Sequence, residues 1–215
     1  VVKEGKYIGK PFFVEGDWSA ASYYYSIASL ANYAEIELLG LQEESVQGDA
    51  VIAAMMTDLG VSTEFKSKNN SVVLRHSGNF INEFSYDFIE CPDLAQTIVS
   101  MLSALRIPGK FKGLQTLKIK ETDRIEALRV ELSKFGADFI EVDDNNWELR
   151  FNAKDSIQNC PNIPTYEDHR VAMATAPLVI KFGEIIIEEP KVVNKSYPKF
   201  WQDLATLGFS FTKSV

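Results

Sequence analysis

The sequence predicts an α/β protein in which one supersecondary unit is repeated three times. Runs with little or no charge, rich in Ala, Ser and Thr, open at Asp17, Asp93 and Asp168, so that they recur about every 75 residues. Each run is followed by a short strand-like segment, a second helical pattern and a glycine. In the first two copies a hairpin pattern completes the unit. The predicted unit is therefore helix, strand, helix, hairpin.

The first helix of each unit is predicted to lie inside the protein. These helices are predicted over residues 18–34, 94–105 and 171–180. Their apolar and small residues are spread nearly all round the helix, which is typical of a helix enclosed by other elements. The aspartate at the head of each run is a natural N-cap, because its carboxylate can accept hydrogen bonds from the first free N–H groups.

The second helix of each unit has one apolar face and ends at a glycine. In the second copy the apolar positions begin at Ile125 and Leu128, a spacing that buries one side of a helix. Gly60, Gly136 and Gly208 are the predicted C-caps. Strands are predicted at 35–39, 111–117 and 184–188 after the first helices, at 61–65, 137–142 and 209–212 after the glycines, and at 72–75 and 147–151 in the hairpins.

Composition and charge argue against several classes of protein. The 215 residues are 46% hydrophobic, enough for one large or two small globular domains. The net charge of -8 and the pI near 4.9 argue against nucleic acid and anionic membranes as partners, since both attract basic surfaces. Cys91 and Cys160 suggest neither a disulfide framework nor a zinc site, which favours a reducing, cytoplasmic location. No signal peptide or membrane-spanning run is predicted.

Residues 118–124 concentrate charge just before a predicted helix. Five of these seven side chains are charged. The first N–H groups of a helix lack internal partners and carry the positive end of the helix dipole, so Lys120 and Arg124 beside them would form an anion site. Glu121, set among cations, is a candidate acid or base. A capped, solvated helix start would explain the same cluster without any function.

Charged positions recur where helices of the other units begin. The second helices are predicted to start near residues 47–49, 120–123 and 194–198. Because repeated units pack equivalent helices side by side, their N-termini can converge on one surface. The side chains at the helix starts are Asp93, Lys120, Glu121, Arg124, His169, Arg170 and Lys195. The sequence therefore predicts one cleft lined by cations and by two carboxylates.

These motifs carry a resemblance to a known family. The segments concerned are KETDR at 120–124, DHR at 168–170, Pro92-Asp93, NKSYP at 194–198, VEGD at 14–17 and QGD at 47–49. Together they resemble the middle and carboxy-terminal parts of EPSP synthases, the 3-phosphoshikimate 1-carboxyvinyltransferases. The resemblance runs from Val14 to the end of the chain.

The resemblance implies a particular fold and domain organisation. Such an enzyme has two globules, each with three βαβαββ units whose helices lie inside the sheets, forming an inside-out α/β barrel. Residues 1–46 would be the last piece of the amino-terminal globule and residues 47–215 most of the carboxy-terminal one. The amino-terminal half would be absent from this chain. Residues 1–46 could then dock on the carboxy-terminal globule, dock on a neighbouring copy, or be partly mobile.

The resemblance also implies a reaction. The enolpyruvyl group of phosphoenolpyruvate would move to the 5-hydroxyl of shikimate 3-phosphate, with release of phosphate. This chemistry needs a base for the hydroxyl proton, an acid for the methylene carbon, and cations for a carboxylate and a phosphate. No metal or organic cofactor is implied. The implied partners are the two small substrates and the missing amino-terminal half, and the full-length enzyme is expected to be a monomer.

Residue roles are carried over at the matching positions. Asp93 would accept the hydroxyl proton, Glu121 would protonate carbon, and Lys120 would lie between both substrates. Arg124, Arg170 and Lys195 would bind phosphoenolpyruvate. Asp93, Lys120, Ser19, Ser22, Tyr23 and Thr116 would contact shikimate 3-phosphate. His169 is expected to have a structural or supporting role.

Two other interpretations stay open. An enolpyruvyl transferase acting on a nucleotide sugar would share the architecture, although KETDR is not expected in it. The chain alone could also be an inactive domain that binds anions weakly, because part of the cleft is missing and closure that excludes water needs both globules. Ala20, in place of a phosphate-binding serine, and Thr116, in place of an amide, depart from the family pattern only at the shikimate 3-phosphate contacts.

Overall fold

The computed structural model describes residues 1–152 and 156–212. Its helices are α1 (Trp18–Leu30), α2 (Ile52–Met55), α3 (Ala95–Leu105), α4 (Arg124–Ser133), α5 (His169–Thr175), α6 (Val179–Phe182) and α7 (Phe200–Thr206). Its strands are β1 (Glu35–Leu39), β2 (Leu59–Lys66), β3 (Ser71–Phe80), β4 (Phe84–Asp87), β5 (Gly109–Lys112), β6 (Asp138–Asp143), β7 (Asn146–Arg150), β8 (Asn162–Ile163) and β9 (Ile186–Ile187). The alternation of helices and strands confirms the predicted α/β class.

The strands form three sheets in the part of the chain that the structure describes. β1, β3 and β2 form an antiparallel sheet in that order, with β1 at one edge. β4, β5, β7 and β6 form a mixed sheet, in which β4 and β5 are parallel and the other neighbours are antiparallel. β8 and β9 are a short parallel pair. Within these residues the sheets do not close into a barrel.

The middle of the chain forms one complete βαβαββ unit. Its order is β4, α3, β5, α4, β6 and β7. The helix α3 connects two parallel strands, which always need a crossover of this kind. The strands β6 and β7 form the predicted hairpin, with Phe139 opposite Leu149. The repeat unit predicted from the sequence is therefore present in full, and the flanking parts of the chain follow its order with shorter or fewer elements.

The first helices of the three units pack together at the centre. α3 contacts both α1 and α5. Nearly all residues of α1 and α3 are buried. Even the polar contact between them is buried: the hydroxyl oxygens of Ser22 and Thr97 lie 3.0 Å apart. The prediction that these helices are enclosed is confirmed, and their small side chains allow the helices to approach closely.

Part of the segment 1–46 packs against the rest of the chain. Ile36 in β1 lies opposite Leu74 in β3, and Trp18 in α1 is fully buried. Three arrangements were predicted for this segment: docking on the rest of the chain, docking on a neighbouring copy, or partial mobility. The structure has the first arrangement for α1 and β1. Residues 1–14 instead have no helix or strand and are exposed. The assignment of 1–46 to the amino-terminal globule of a longer enzyme stays a prediction.

The predicted glycine caps have the backbone conformation that a C-cap needs. Gly60, Gly136 and Gly208 all have positive φ, at 85°, 68° and 94°. An L-residue with a Cβ is disfavoured in this region, whereas glycine enters it freely. Each glycine therefore ends a helical segment and redirects the chain, as the sequence predicts.

Three predicted strands differ from the structure. The strand predicted at 111–117 ends early, because Gly113 turns the chain with φ of 73° where a Cβ would lie only 2.3 Å from the backbone nitrogen of Ile89. The strand predicted at 184–188 is reduced to β9. The strand predicted at 209–212 is absent, and Phe211 is exposed. Residues 209–212 pair with no strand in the described part of the chain, so nothing holds them extended in a sheet.

Within residues 1–152 and 156–212, no helix is both long and apolar enough to cross a membrane.

Candidate active site

Three helix starts bring the predicted charged residues together. Asp93 lies in a 3-10 turn, Pro92–Leu94, that leads directly into α3. Lys120 and Glu121 precede α4, whose first residue is Arg124. Asp168 and Arg170 lie at the start of α5. These helices pack side by side, with α3 between α1 and α5 and also against α4, so their N-terminal ends meet on one surface. The expected convergence of helix starts is present.

Arg124 is the centre of this cluster. Its side chain is only 2% exposed and binds three carboxylates. Nε donates to Asp168 Oδ2 at 2.6 Å, and Nη1 donates to Asp93 Oδ1 at 3.0 Å. Nη2 donates to Glu121 Oε2 at 2.6 Å and to Asp168 Oδ1 at 3.3 Å. A planar guanidinium can serve several carboxylates at once because its five N–H groups point outward in a fixed fork.

Asp93 links all the cations of the cluster. Besides Arg124, it accepts from Arg170 Nη2 at 3.0 Å and lies 3.6 Å from Lys120 Nζ. Its side chain is 29% exposed, so solvent or a ligand can reach it. The sequence predicted an N-cap here, and that prediction is wrong, because Asp93 lies inside the 3-10 turn and its carboxylate faces the cations of α4 and α5. The carboxylate is therefore committed to the cluster rather than to its own helix.

Asp168 performs two structural tasks. It is fully buried, caps α5 by accepting from the backbone N–H of Arg170 at 2.8 Å, and forms a two-point ion pair with Arg124. The sequence predicted only the cap. A buried carboxylate needs a charged partner, because an unpaired charge in the interior is strongly unfavourable. The one sequence signal for this ion pair was the uncharged segment 171–180, which indicated that Asp168 would lie in the interior and need a cation.

His169 lies at the edge of the same cluster. Its Nδ1 is 3.9 Å from Glu121 Oε1 and 3.8 Å from Asp168 Oδ1, and it has no hydrogen-bond partner among the described residues. Burial lowers the pKa of this imidazole, opposed by the Asp168 carboxylate. A neutral imidazole next to two carboxylates packs against the cluster without adding charge to it, in keeping with the structural role expected from the sequence.

The start of α1 supplies a second side to the cluster. Tyr23 lies beside the guanidinium of Arg170, and burial raises the pKa of its phenol to about 12, so the phenol stays protonated as a hydrogen-bond donor. The hydroxyl of Ser19 hydrogen-bonds Asp49 Oδ2. Asp17 caps α1 by accepting from the N–H of Ser19 at 2.8 Å. Asp49 is a residue whose contribution to this surface the sequence did not predict.

Asp49 gives a testable pH dependence. Burial raises its pKa, opposed by the Ser19 hydrogen bond and supported by the nearby Asp93 carboxylate. Because the folded chain holds this proton more tightly than the unfolded chain, stability falls as pH rises from the ordinary pKa through the raised one. Asp49→Asn is therefore expected to increase the midpoint of thermal unfolding at pH 7 and to have little effect near pH 3.5. An equal shift at both pH values would contradict this origin, and Asp58→Asn serves as the surface control.

Three predicted site residues lie apart from the charge cluster. Lys195 is exposed and donates to the backbone carbonyl of Glu167 at 2.7 Å, which places it beside the loop before α5. Thr116 is exposed in the 3-10 turn Gln115–Ile119. Ser22 is fully buried and is occupied by Thr97 and by the carbonyl of Ser19. Of these three, Ser22 is the one with no surface that a ligand could reach in this structure.

A cavity of about 560 Å³ lies on another side of α1. Its walls come from the start of α1, from β1 and from α7. In it, the hydroxyl oxygens of Tyr24 and Tyr197 lie 2.7 Å apart, and Tyr197 donates to Asp203 Oδ2 at 2.7 Å. The carboxylate and guanidinium groups of the cluster do not line this cavity. In the cluster itself, the side chains of Lys120, Asp93 and Glu121 are 34%, 29% and 40% exposed.

Comparison with solved structures defines the class of fold. An EPSP synthase from Acinetobacter baumannii matches with a TM-score of 0.68 at 21% identity, over 95% of this chain and 48% of that chain. The enolpyruvyl transferase NikO from Streptomyces tendae matches with a TM-score of 0.60 at 13% identity, over 92% and 44% of the two chains. The fold is therefore that of the enolpyruvyl transferases.

The sequence comparisons define the family within this class. The family model described as EPSP synthase (3-phosphoshikimate 1-carboxyvinyltransferase) matches residues 2–204. A 3-phosphoshikimate 1-carboxyvinyltransferase from Bacteroides fragilis is 49% identical over 93% of this chain and 48% of its own length, and one from Clostridium kluyveri is 33% identical over 91% and 44%. The chain belongs to the EPSP synthase family. It spans about half the length of the curated relatives it matches.

Proposed function

We propose that this chain is the carboxy-terminal part of a 3-phosphoshikimate 1-carboxyvinyltransferase. The enzyme would transfer the enolpyruvyl group of phosphoenolpyruvate to the 5-hydroxyl of shikimate 3-phosphate, a step toward chorismate and the aromatic amino acids. The single observation that carries the proposal is the cluster in which Lys120, Arg124 and Arg170 surround Asp93. Such a cluster offers both the cations that two anionic substrates need and a carboxylate for proton transfer.

Each residue of the cluster has a role in this proposal. Asp93, which is reachable from solvent, takes the proton of the 5-hydroxyl, and Glu121 delivers a proton to the methylene carbon as the tetrahedral intermediate forms. Lys120 lies between the substrates, close to Asp93. Arg124 and Arg170 hold the carboxylate and phosphate of phosphoenolpyruvate, since a guanidinium can bind either group with two parallel hydrogen bonds.

Further ligands come from the edges of the cluster. Lys195 is exposed beside the loop that precedes Asp168, where its ammonium can reach a phosphate after leaving the Glu167 carbonyl. Ser19 and Tyr23 face the cluster from α1 and are the favoured contacts to shikimate 3-phosphate. Thr116 and Ser22 complete the proposed set of contacts, although the burial of Ser22 requires a shift of α1 in the complete enzyme.

The proposed partner is an amino-terminal half that this chain lacks. The partly exposed side chains of the cluster and the half-length match to the relatives both support a second globule opposite it. In the complete enzyme, residues 1–46 would belong to that globule and residues 47–215 to the carboxy-terminal one. Without it, water is not excluded from the site, so this chain alone is proposed to bind anions but not to turn substrates over.

The test is reconstitution. The amino-terminal half of the Bacteroides fragilis relative would be produced separately and mixed with this chain, and phosphate release from shikimate 3-phosphate and phosphoenolpyruvate would be measured. We expect turnover only when both halves are present and both substrates are supplied. A mixture in which the halves associate, both are folded, and no phosphate is released would count against the proposal and would favour the anion-binding domain.

A further inference from the structure

The guanidinium of Arg124 makes four hydrogen bonds to carboxylates with its five N–H groups. Its three nitrogens all donate to carboxylate oxygens, at distances between 2.6 and 3.3 Å. Two of the three carboxylates, Asp93 and Glu121, are the groups proposed to transfer protons. The same arginine is proposed to bind the anionic substrate. A phosphate or carboxylate that binds Nη1 and Nη2 as a pair must therefore replace Asp93 or Glu121, which already occupy these two nitrogens.

Burial decides which carboxylates can leave. Asp168 is fully buried and is held by the cap of α5 as well as by Arg124, so its departure would leave a charge in the interior. Glu121 is 40% exposed and Asp93 is 29% exposed, so either carboxylate can turn toward water. The exchangeable edge of Arg124 is therefore the edge formed by Nη1 and Nη2, while Nε remains anchored on Asp168.

Resting on the proposed function, we propose that Arg124 is also a positioning residue that holds Glu121 and Asp93 until an anionic substrate replaces them. Binding of the substrate phosphate or carboxylate at the Nη edge releases the two carboxylates toward the reacting atoms. Asp93 stays near the cluster after this release, because Arg170 and Lys120 still hold it. Among the described residues, no lysine or arginine other than Arg124 lies within 4 Å of the Glu121 carboxylate, and the neutral His169 imidazole lies 3.9 Å from it. Glu121 therefore moves more freely than Asp93.

This exchange couples the binding of the anion at Arg124 to the release of Glu121. Since the anion and Glu121 compete for the same N–H groups, each weakens the hold of the other by the same factor. Glu121 is then free to take up a proton from water and pass it to carbon only in molecules that already hold the anion. Removing the competing negative charge of Glu121 must therefore raise the affinity of the chain for the anion. A purely structural role for Glu121, or a role in attracting the anion, does not predict an increase in affinity.

The first test measures anion affinity on this chain alone. Inorganic phosphate and phosphoenolpyruvate would be titrated by calorimetry into the unmodified chain, into Glu121→Gln and into Glu126→Gln. Glu126 is the matched control, because it lies on the same helix and binds Arg129 on the exposed side. We expect at least a threefold gain in affinity for Glu121→Gln, which is about 0.7 kcal/mol at 1.4 kcal/mol per tenfold change, and no gain for Glu126→Gln. Equal affinities, or no binding by any of the three proteins, would overturn the proposal.

The second test separates exchange from simple repulsion between charges. Nuclear magnetic resonance would follow the side-chain carboxyl carbons of Glu121 and Asp93 and the Nε–H signal of Arg124 as phosphate is added. Exchange predicts that the carboxyl signals shift on saturation while the Nε–H signal stays in place. Saturation without a shift of the Glu121 carboxyl would refute exchange even if Glu121→Gln binds more tightly. Neither test uses turnover, so their outcome is independent of the reconstitution experiment.

Discussion

Arg124→Met is expected to lower the free energy of unfolding of this chain by about 3–5 kcal/mol, the usual cost of removing one partner of a buried ion pair. Methionine fills a similar volume but leaves Asp168 fully buried without a counter-charge. It also leaves two partly buried carboxylates, Asp93 and Glu121, close together with one cation fewer. Urea unfolding followed by circular dichroism at pH 7 measures the effect.

The matched control for this prediction lies one turn further along α4. Arg129→Met also removes an arginine that binds a carboxylate, but its partner Glu126 and the arginine itself are exposed. Such a pair contributes roughly 0.2–1 kcal/mol. In the double variant Arg124→Met with Asp168→Asn, much of the lost stability should return, because asparagine keeps the helix cap while removing the unpaired charge. Similar losses for Arg124→Met and Arg129→Met would show that the buried cluster contributes little to stability.

Glu121→Gln is expected to reduce turnover by the reconstituted halves by about 10²–10⁴-fold, the range found when a positioned proton donor is removed. Glutamine has nearly the same shape and can still accept from Arg124, so the cluster should keep its geometry. The amide has no acidic proton to give to carbon. The readout is the rate of phosphate release at saturating concentrations of both substrates.

The Glu126→Gln variant again supplies the control, since its side chain points away from the cluster toward Arg129. It should keep the turnover of the unmodified pair. If Glu121→Gln reduced turnover only a few fold, another group would have to protonate the carbon. His169 would be the next candidate, because its Nδ1 lies 3.9 Å from the same carboxylate and makes no hydrogen bond in the described part of the chain.

Local sequence patterns were sufficient to predict the elements that depend on local chemistry. The buried run at α1, the apolar face of α4 and the cap at Gly136 each leave a signal within a few neighbouring residues. The convergence of charged helix starts could also be predicted, because it follows from repetition of one unit. These features depend on periodicity and capping, which a single sequence records.

The partners of the charged groups could not be predicted in the same way. Nothing near Asp168 in sequence indicates that Arg124, 44 residues earlier, will neutralise it. The same holds for Asp93, whose position before α3 is typical of a cap although its partners lie on α4 and α5. The strand predicted at 209–212 failed for a related reason: a strand needs a neighbour, and a local pattern does not reveal whether one is available.

The edge strand β1 has a consequence for how this chain behaves at high concentration. Among the residues that the structure describes, only one side of β1 is paired, and an open strand edge readily accepts a strand from another molecule. Its sequence alternates, with Glu35 and Glu37 exposed on either side of the buried Ile36. Arg75 and Lys66 pair with these two carboxylates at 3.2 and 3.8 Å, so the repulsion between two copies that meet edge to edge comes mainly from the net charge of -8 per chain. This repulsion should keep the isolated chain dispersed and disfavour ordered aggregation through its sheet.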